Sequence, residues 1–450
     1  LAHHPARLSQ AALQHVLRSV AIAAVQSRVG QRRAPRHELF PAADWSAFTP
    51  DTSAIRRNCG VTPRLPLGEV RPSLAFWGEG AGAPRVWRSA LNIEKRLGSR
   101  FTAALHALYA HGQHNPAVWD ENLVRNPREG LFVPNPTLPA LGNEPRPFYP
   151  HPAAVIPSTG AVSLSGSRHY PFFSTAFELT SGVSSRAGQV TLEIASADQS
   201  IGFLRLSHMN LAYTFMRARD ESNGYPFQNS FATTSGDPSK REWGTSDLER
   251  RHSVLATAVA SMSPSLEPSV RGRALTGPRY TPMVMGDVNG DGFRNDRAFV
   301  FTPGSPEGDA VQRLLGSTDE RARDCISSQI GRIAQRNSCT TPWYAGLDMQ
   351  LNWYRDAARR VTFSLTAHNA LAGVDALLHR SNVRGWGQPV YPDNVLMKVV
   401  TFDPDALAFR YTVNERFGTP SGSSSPVRVP LQLGLQLRIQ LGSEASGEAP

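Results

Sequence analysis

The last regular stretch of the sequence, Val427–Leu441, carries an aliphatic residue at every odd position and none at the even positions. Because successive side chains of a β-strand point to opposite faces, a strand here has one aliphatic and one polar face. A strand of a soluble sheet has about 5–6 residues, whereas a membrane-spanning strand needs about 9–11. Glutamine and arginine on the polar face suit a water-filled lumen. The stretch therefore predicts either a membrane-spanning strand or a long edge strand of a soluble sandwich.

The composition narrows the class of protein. The chain has 450 residues, of which 19% are charged, with 36 Gly and 35 Pro. This mixture is typical of many strands joined by irregular loops. The net charge is +10, but the arginines are scattered rather than clustered, so we expect no nucleic-acid binding. No apolar run reaches the roughly 18 residues of a membrane helix, so a membrane-spanning interpretation requires a closed β-barrel.

Other stretches alternate in the same way. Trp87–Ile93 and Phe101–Tyr109 flank a turn that contains Gly98, which predicts a hairpin. Tryptophan stands at both ends of the apolar face of 343–353, where an interfacial aromatic girdle would place it, although core packing is the alternative. With the last strand there are about a dozen candidates, the remainder being 172–179, 188–196, 201–216, 252–260, 266–275, 361–367, 396–402 and 409–413.

These patterns divide the chain into three parts. Residues 1–85 are predicted to be irregular with one short helix, residues 86–442 to form the barrel portion, and residues 443–450 to be a polar tail. Two proline-rich or polar stretches, Gly112–Pro157 and Arg217–Asp247, are predicted to be long loops. Leu1 is not a starting Met, and we interpret it as a truncation point with the export signal upstream.

Motifs for catalysis are missing. The sequence has no G-x-S-x-G, no phosphate-binding loop ending in Gly-Lys-Ser/Thr and no H-E-x-x-H. His111 and His114 lie in a predicted loop without the company that a zinc site needs. We therefore expect a protein that is not an enzyme.

One motif carries ligand chemistry. Residues 286–296 contain the D-x-N-x-D-G start of a calcium loop, in which Asp287, Asn289, Asp291 and Asn295 would supply oxygens. The twelfth position, where a bidentate Glu would sit, is Ala298. Sequence rich in Asp, Asn and Gly also makes plain tight turns. A calcium site and a tight turn are the two hypotheses for this segment.

The three cysteines are Cys59, Cys325 and Cys339. The last two bracket a short stretch that is predicted to be helical. A bridge between them would close a loop and contribute about 3 kcal/mol in an oxidising compartment. Two unpaired thiols are the alternative, and Cys59 has no evident partner.

Several stretches together resemble a known family. They are Arg241–His252, Gly286–Phe301, Arg336–Trp343, Arg384–Pro389, Asn414–Gly418 and the closing alternating strand. In this order they resemble the C-terminal barrel portion of TonB-dependent outer-membrane receptors of the Oar-like kind. The resemblance covers about residues 60–442.

The resemblance implies an antiparallel transmembrane β-barrel with long extracellular loops, in the outer membrane of a Gram-negative-type bacterium. Such receptors bind an extracellular ligand, and a plug domain rearranges when the inner-membrane TonB complex pulls on it. Their barrels have about 22 strands. A dozen strands, an unrecognisable plug and a last strand without a terminal aromatic residue depart from this pattern.

We therefore expect a C-terminal part of such a receptor, acting in binding and uptake. Its expected partners are outer-membrane lipid, the TonB complex through a plug that lies upstream, and an unidentified extracellular ligand. The alternative is a soluble or surface-attached β-rich adhesion module with a calcium loop.

Overall fold

The structure is a computed structural model that describes residues 71–123, 144–150, 152–201, 204–225, 232–356, 359–419 and 429–441. The predicted helix near the start of the chain, Cys59 and the polar tail 443–450 lie outside the described residues. So does Val427, the first residue of the predicted last strand.

The described residues form twenty strands, three α-helices and three 3₁₀ turns. The strands are β1 (Leu74–Trp77), β2 (Arg85–Leu97), β3 (Phe101–Asp120), β4 (Val155–Ile156), β5 (Ala161–Val162), β6 (Ala176–Ile201), β7 (Leu204–Ser222), β8 (Glu242–Thr245), β9 (His252–Ser261), β10 (Leu266–Leu275), β11 (Arg279–Tyr280), β12 (Met283–Met285), β13 (Phe299–Val300), β14 (Arg332–Ile333), β15 (Cys339–Thr340), β16 (Tyr344–Tyr354), β17 (Val361–His368), β18 (Val395–Asp403), β19 (Ala408–Val413) and β20 (Gln432–Ile439). The helices are α1 (Pro306–Ser317), α2 (Glu320–Ser327) and α3 (Ala370–His379), and the 3₁₀ turns are Pro152–Ala154, Leu164–Ser167 and Arg380–Asn382.

The dominant element is one antiparallel sheet, which we call the main sheet. Its long strands follow chain order, β2-β3-β6-β7-β9-β10-β16-β17-β20, and every neighbouring pair is antiparallel. Two short strands attach at its side, β1 parallel to β6 and β8 antiparallel to β7. Within the described ranges, β2 and β20 each pair on one side only, so the main sheet is open.

The two ends of the main sheet differ in their connections. At one end, the turn end, strands are joined by the short segments 98–100, 202–203, 262–265 and 355–360. At the other end, the loop end, the connections are the long segments 121–175, 223–251, 276–343 and 369–431. Outer-membrane barrels have the same asymmetry, with short turns on one side and long loops on the other.

The two faces of the main sheet differ in polarity. One row of paired residues crosses all nine long strands, and only its serine is polar: Leu97, Phe101, Ser196, Met209, Ala258, Val270, Met349, Ala367 and Leu433. We call this the apolar face. The neighbouring row on the other side, the polar face, includes Arg96, Thr102, Ala195, Asn210, Thr257, Arg271 and Asp348.

The described parts of the long connections pack together at the loop end into a compact unit, which we call the cap. Its largest core cluster is built from residues 280–339 and 396–417, and fully buried side chains at its centre include Val300, Val311, Ile326, Leu396 and Phe417. The cap therefore has a dry core of its own, unlike the apolar face of the main sheet.

Local sequence explains why the cap forms helices. Ser305 accepts a hydrogen bond from the N–H of Gly308 at 3.0 Å, and Pro306 occupies the first helical position of α1. Asp319 caps α2 by accepting from the N–H of Ala322 at 3.0 Å. Among the described residues, no helix has the length and apolar character needed to span a membrane.

The predicted antiparallel, strand-rich architecture is confirmed, but the placement of two predicted strands and some strand boundaries differ from the prediction. Leu396–Phe402 and Phe409–Val413 form β18 and β19 of a separate three-stranded sheet inside the cap. β3 continues through Pro116 to Asp120, so the predicted loop begins later and His111 and His114 lie in a strand. β1 lies in the segment that was predicted to be irregular.

Candidate functional site

A cavity of about 680 Å³ lies where the main sheet meets the cap. The strands β3, β6 and β7 form its floor. Ser185 and Ala187 continue the series of β6 that includes Thr191, and Ala218 continues the series of β7 that includes Thr214, so the floor belongs to the polar face. The cap closes the other side with Ser246, Asp247, Leu248 and Arg336. The volume lies in the range of small-molecule sites.

The floor is mostly apolar because small and aliphatic side chains replace polar ones near the loop end. Val118, Val183, Ala218 and Tyr225 are all buried. The Tyr225 hydroxyl lies 3.2 Å from the Ser239 hydroxyl, which satisfies its polar end. An apolar lining with a few polar groups is typical of a site for a compact organic molecule.

Arg336 is one of the charged residues that line the cavity. Its guanidinium forms an ion pair with Asp220 and also donates to the Asp220 carbonyl at 2.6 Å. Its Nε is buried without a hydrogen-bond partner. A Cβ added at Gly244 would lie 2.6 Å from that Nε, so only glycine leaves room for the guanidinium beside β8.

The next residue fixes the cap to the same end of β8. The Asn337 amide donates to the Asp247 carboxylate at 2.6 Å and to the Thr245 carbonyl at 2.8 Å. Asn337 has φ of 53°, a left-handed conformation that asparagine tolerates. These contacts hold the segment 336–337 over the cavity. Residues of the cap and of the main sheet therefore line the cavity together.

The structure brings the predicted calcium residues together in one loop. Asp287 accepts from the N–H groups of Gly290 at 2.6 Å and Gly292 at 2.8 Å. Asp291 accepts from the N–H of Phe293 at 2.8 Å and from the Asn289 amide at 2.9 Å. The carboxylates therefore stabilise the turn itself.

Two further contacts anchor this loop to other segments. The Asn289 amide donates to the Gly236 carbonyl at 2.9 Å, and the Asn295 amide donates to the Gly224 carbonyl at 2.6 Å. Asp296 accepts from Arg146 at 2.9 Å, and both side chains are buried. The loop thus connects the segments that follow β3 and β7.

Burial and mutual repulsion disfavour the simultaneous ionisation of the three carboxylates of the loop, which belong to Asp287, Asp291 and Asp296. Burial, and then repulsion by Asp296, raise the pKa of Asp287 to about 7. Burial also raises the pKa of Asp296 to about 6, although the Arg146 guanidinium opposes the shift. The pKa of Asp291 is raised well above its ordinary value by burial and by Asp287. A bound cation would relieve this repulsion.

The donor set fits calcium in part. Calcium prefers oxygen ligands, and the buried Asn295 Oδ1 has no hydrogen-bond partner, so it is available as one. Across the ranges the structure describes, no group of three or more His, Cys, Asp or Glu side chains is arranged to hold a metal ion. A calcium site here would rely on amide and carbonyl oxygens as well as carboxylates.

The other predicted pair of residues is also brought together. Cys325 on α2 and Cys339 on β15 are joined by a disulfide, with Cα atoms 5.3 Å apart. The bridge lies in the main core cluster of the cap. It ties the helical part of the cap to the segment that carries Arg336.

Sequence reasoning missed the cavity and the arginines that fix its surroundings. Arg146, Arg168 and Arg336 are separated by long stretches of chain, and isolated arginines in polar sequence give no signal of burial. The alternation of Met216 and Ala218 with Arg217 and Arg219, which continues past the predicted end of the strand 201–216, was the one usable sign. Small residues at Ala187 and Ala218 on the polar face mark the cavity floor.

Comparisons with known proteins were made on sequence and on structure. No protein-family profile matches the sequence, and no curated protein matches it. The outer membrane transporter YddB from Escherichia coli aligns with a TM-score of 0.37 and 7% identity, over 67% of this chain and 31% of that one. The FrpB iron transporter from Neisseria meningitidis (F3-3 variant) aligns with a TM-score of 0.32 and 10% identity, over 66% and 28%.

A third solved structure, the siderophore receptor PiuA from Acinetobacter baumannii, aligns with a TM-score of 0.25 and 8% identity, over 63% of this chain and 32% of that one. In each case the chain spans about a third of the length of the solved protein. The activity of a whole transporter is therefore a proposal for this chain.

Proposed function

We propose that this chain forms part of the wall and the external cap of a TonB-dependent outer-membrane receptor of the Oar-like kind. The observation that carries the proposal is the apolar face of the main sheet. Its large side chains are exposed rather than packed against a second layer. Leu192, Leu211, Met349, Leu365 and Leu435 are between 43% and 88% exposed. A soluble sheet would cover such a face, whereas a bilayer is its natural solvent.

Aromatic residues border this face at both ends. At the loop end, the His252 ring lies 5.5 Å from Phe215 and 6.1 Å from Trp343, centroid to centroid. At the turn end, Trp353 and Phe363 are 5.2 Å apart. This arrangement supports an interfacial girdle at each membrane surface.

The spacing of the girdles suits a bilayer. Trp343 immediately precedes β16 and Trp353 lies at its other end, and both have the odd numbers of the residues that β16 places on the apolar face. Ten steps of about 3.4 Å make about 34 Å along the strand, or about 25 Å of height at a tilt of about 42°. About 25 Å is the height of the apolar band of outer-membrane barrels.

In this orientation the loop end is extracellular and the polar face lines the lumen. The cavity between β3, β6, β7 and the cap would then receive a ligand from outside. Its lining favours a compact, largely apolar molecule with a few hydrogen-bonding groups. Energised release would require a plug and the TonB complex, which we propose on the sequence resemblance.

The test is the location and behaviour of the protein in its native cells. We expect recovery in the outer-membrane fraction, extraction only by detergent, and a gel mobility that changes on heating. Recovery as a monodisperse soluble protein without detergent would contradict the proposal and favour an adhesion module.

We also propose that the 287–296 loop binds calcium. The clustered carboxylates with raised pKa values and the unpartnered Asn295 Oδ1 support this. Calorimetric titration of the folded protein with calcium tests it, and the absence of heat at about millimolar calcium, the range of weak extracellular sites, would contradict it.

A further inference from the structure

Helix α3 presents an apolar face that nothing in the described structure covers. Val374, Leu377 and Leu378 lie at helical spacings of three and four residues and therefore share one side of the helix. Leu377 is 80% exposed and Leu378 is 65% exposed. Trp386, in the segment that follows, is exposed as well.

The helix lies at the loop-end rim of the apolar face. One residue, Asn369, separates it from the end of β17, and the Asn369 amide donates to the Val429 carbonyl at 2.8 Å. Gly373 packs against Leu431, because a Cβ added there would meet the Leu431 side chain at 2.6 Å. Leu431 belongs to the odd-numbered series that supplies Leu433 and Leu435 to the apolar face. The helix therefore continues that face beyond the strands.

A buried carboxylate makes the helix and the following segment rigid. Asp375 accepts from the N–H groups of Arg384, Gly385 and Trp386 at 2.7–2.9 Å. It also lies 2.8 Å from His379 Nδ1, and the His379 ring contacts Trp386 edge-on at 5.2 Å. Trp386 is thus fixed relative to the helix.

Among the charged side chains of α3 and the segment 380–386, the exposed ones are positive. Asp375 is buried and its oxygens are occupied, whereas Arg380 and Arg384 are exposed. Within the described residues, neither guanidinium has an ion-pair partner. Two free guanidinium groups therefore lie beside an apolar helix face and a tryptophan.

We infer that α3 and Trp386 lie in the interfacial region of the outer leaflet, with the leucines among acyl chains and Arg380 and Arg384 on lipid phosphates. Amphipathic helices with basic and tryptophan residues bind membrane surfaces in this way, and guanidinium groups pair well with phosphate. Continuity with the apolar face favours lipid over a protein partner. The inference rests on the proposed membrane-spanning sheet.

The experiment uses the detergent-purified full chain with Cys59→Ser and one added cysteine, labelled with an environment-sensitive fluorophore without reducing agent. Leu378→Cys probes the helix face. Ala376→Cys is the matched control, because it is exposed on the same helix but points away from Leu378. Leu435→Cys reports on the apolar face of the main sheet. The protein is placed in phosphatidylglycerol vesicles that contain lipid with a nitroxide near the headgroup, for positions 376 and 378, or near the end of the acyl chain, for position 435.

We expect several-fold stronger quenching at position 378 than at position 376. The double variant Arg380→Gln/Arg384→Gln should lower the quenching at position 378 in phosphatidylglycerol vesicles but not in phosphatidylcholine vesicles. Quenching at 435 without quenching at 378 would overturn the inference and leave the proposed function intact. Absence of quenching at both positions would overturn the proposed function.

Two further outcomes would also contradict the inference. Self-quenching at position 378 that grows with protein density, without nitroxide quenching, would assign the face to a second copy of the chain. Loss of the arginine effect on addition of inorganic phosphate would assign the guanidinium groups to a free anion.

Discussion

Arg168 and Asp120 form an ion pair of 3.0 Å between side chains that are both completely buried. Asp120 ends β3, and Arg168 lies in the connection from β3 to β6. The second nitrogen of the guanidinium donates to the Asp291 carbonyl at 2.7 Å. One arginine thus joins the end of the main sheet to the acidic loop of the cap.

Removing this arginine should loosen the cap. Arg168→Met removes the guanidinium that forms an ion pair with the buried Asp120 carboxylate, and breaking such a buried pair costs about 3–5 kcal/mol. We expect faster proteolysis within the cap and little change in the strands of the main sheet, as measured by peptide mapping.

The double variant Arg168→Met/Asp120→Asn is the matched control. It removes the negative charge at position 120. The asparagine keeps a side-chain oxygen that can accept from the N–H groups of Asn122 and Ala176, as Asp120 Oδ1 does in the unmodified protein. Partial recovery of resistance is expected. Equal sensitivity of both variants would show that packing, not charge, is responsible.

A charge on the apolar face should block membrane insertion. Leu435→Lys places an ammonium group near the middle of β20, which costs about 2–4 kcal/mol at the bilayer midplane. The adjacent Gln436→Lys points to the polar face and should be tolerated. The yield of folded protein in the outer-membrane fraction measures the difference. In a soluble protein the two substitutions would behave alike, since Leu435 is 88% exposed.

Reduction of the disulfide should destabilise the cap selectively. A bridge that closes a loop with a sequence separation of 14 contributes about 3 kcal/mol. Cys325→Ser/Cys339→Ser should increase hydrogen exchange in α2 and β15. Cys59→Ser is the control and should leave exchange in these segments unchanged. Alkylation of both native thiols in the exported protein would contradict the bridge.

The acidic loop should lose stability as the pH rises when calcium is chelated. Unfolded Asp287 ionises near its ordinary pKa of 3.8, whereas burial raises the folded pKa to about 7. Between these values the folded state binds more protons than the unfolded state, so the free energy of unfolding falls with increasing pH. Hydrogen exchange of residues 286–296, corrected for intrinsic rates, should be faster at about pH 8 than at about pH 5.

Asp405→Asn, at an exposed position of the cap, is the control and should not change this profile. Added calcium should suppress exchange above pH 7 if the loop binds it. An exchange profile that does not respond to calcium would contradict the calcium proposal, and a flat profile in chelator would contradict the electrostatic argument.

The main sheet was predicted well from the sequence because its strands alternate between residues of the apolar face and residues of the polar face. Alternation in 87–93, 101–109 and 343–353 was enough to locate β2, β3 and β16. Because of its prolines, starting at Pro116, the segment from Gly112 onwards was predicted to be a loop, although β3 continues to Asp120. The register shifts around Asn115, and His114 adopts φ of 55°, so an irregularity accommodates the proline within the sheet.

The cap could not be predicted in the same way. Leu396 and Met397 are adjacent and both buried, so β18 is covered on two sides and alternation does not distinguish it from a membrane strand. The cavity depends on Arg336 reaching Asp220, a contact across 116 positions of sequence. Contacts of that range are decided by packing rather than by local pattern.

The strand order of the main sheet constrains how a barrel wall could be completed. Eight successive antiparallel pairings separate β2 from β20, so these two edge strands run in the same direction. Joining them directly, or joining two copies of the chain with the same membrane orientation, would create a parallel seam. A wall that is antiparallel throughout closes only if an odd number of additional strands stands between the two edges. Because the number of long strands is odd, these nine strands alone cannot close into a barrel in which every pairing is antiparallel.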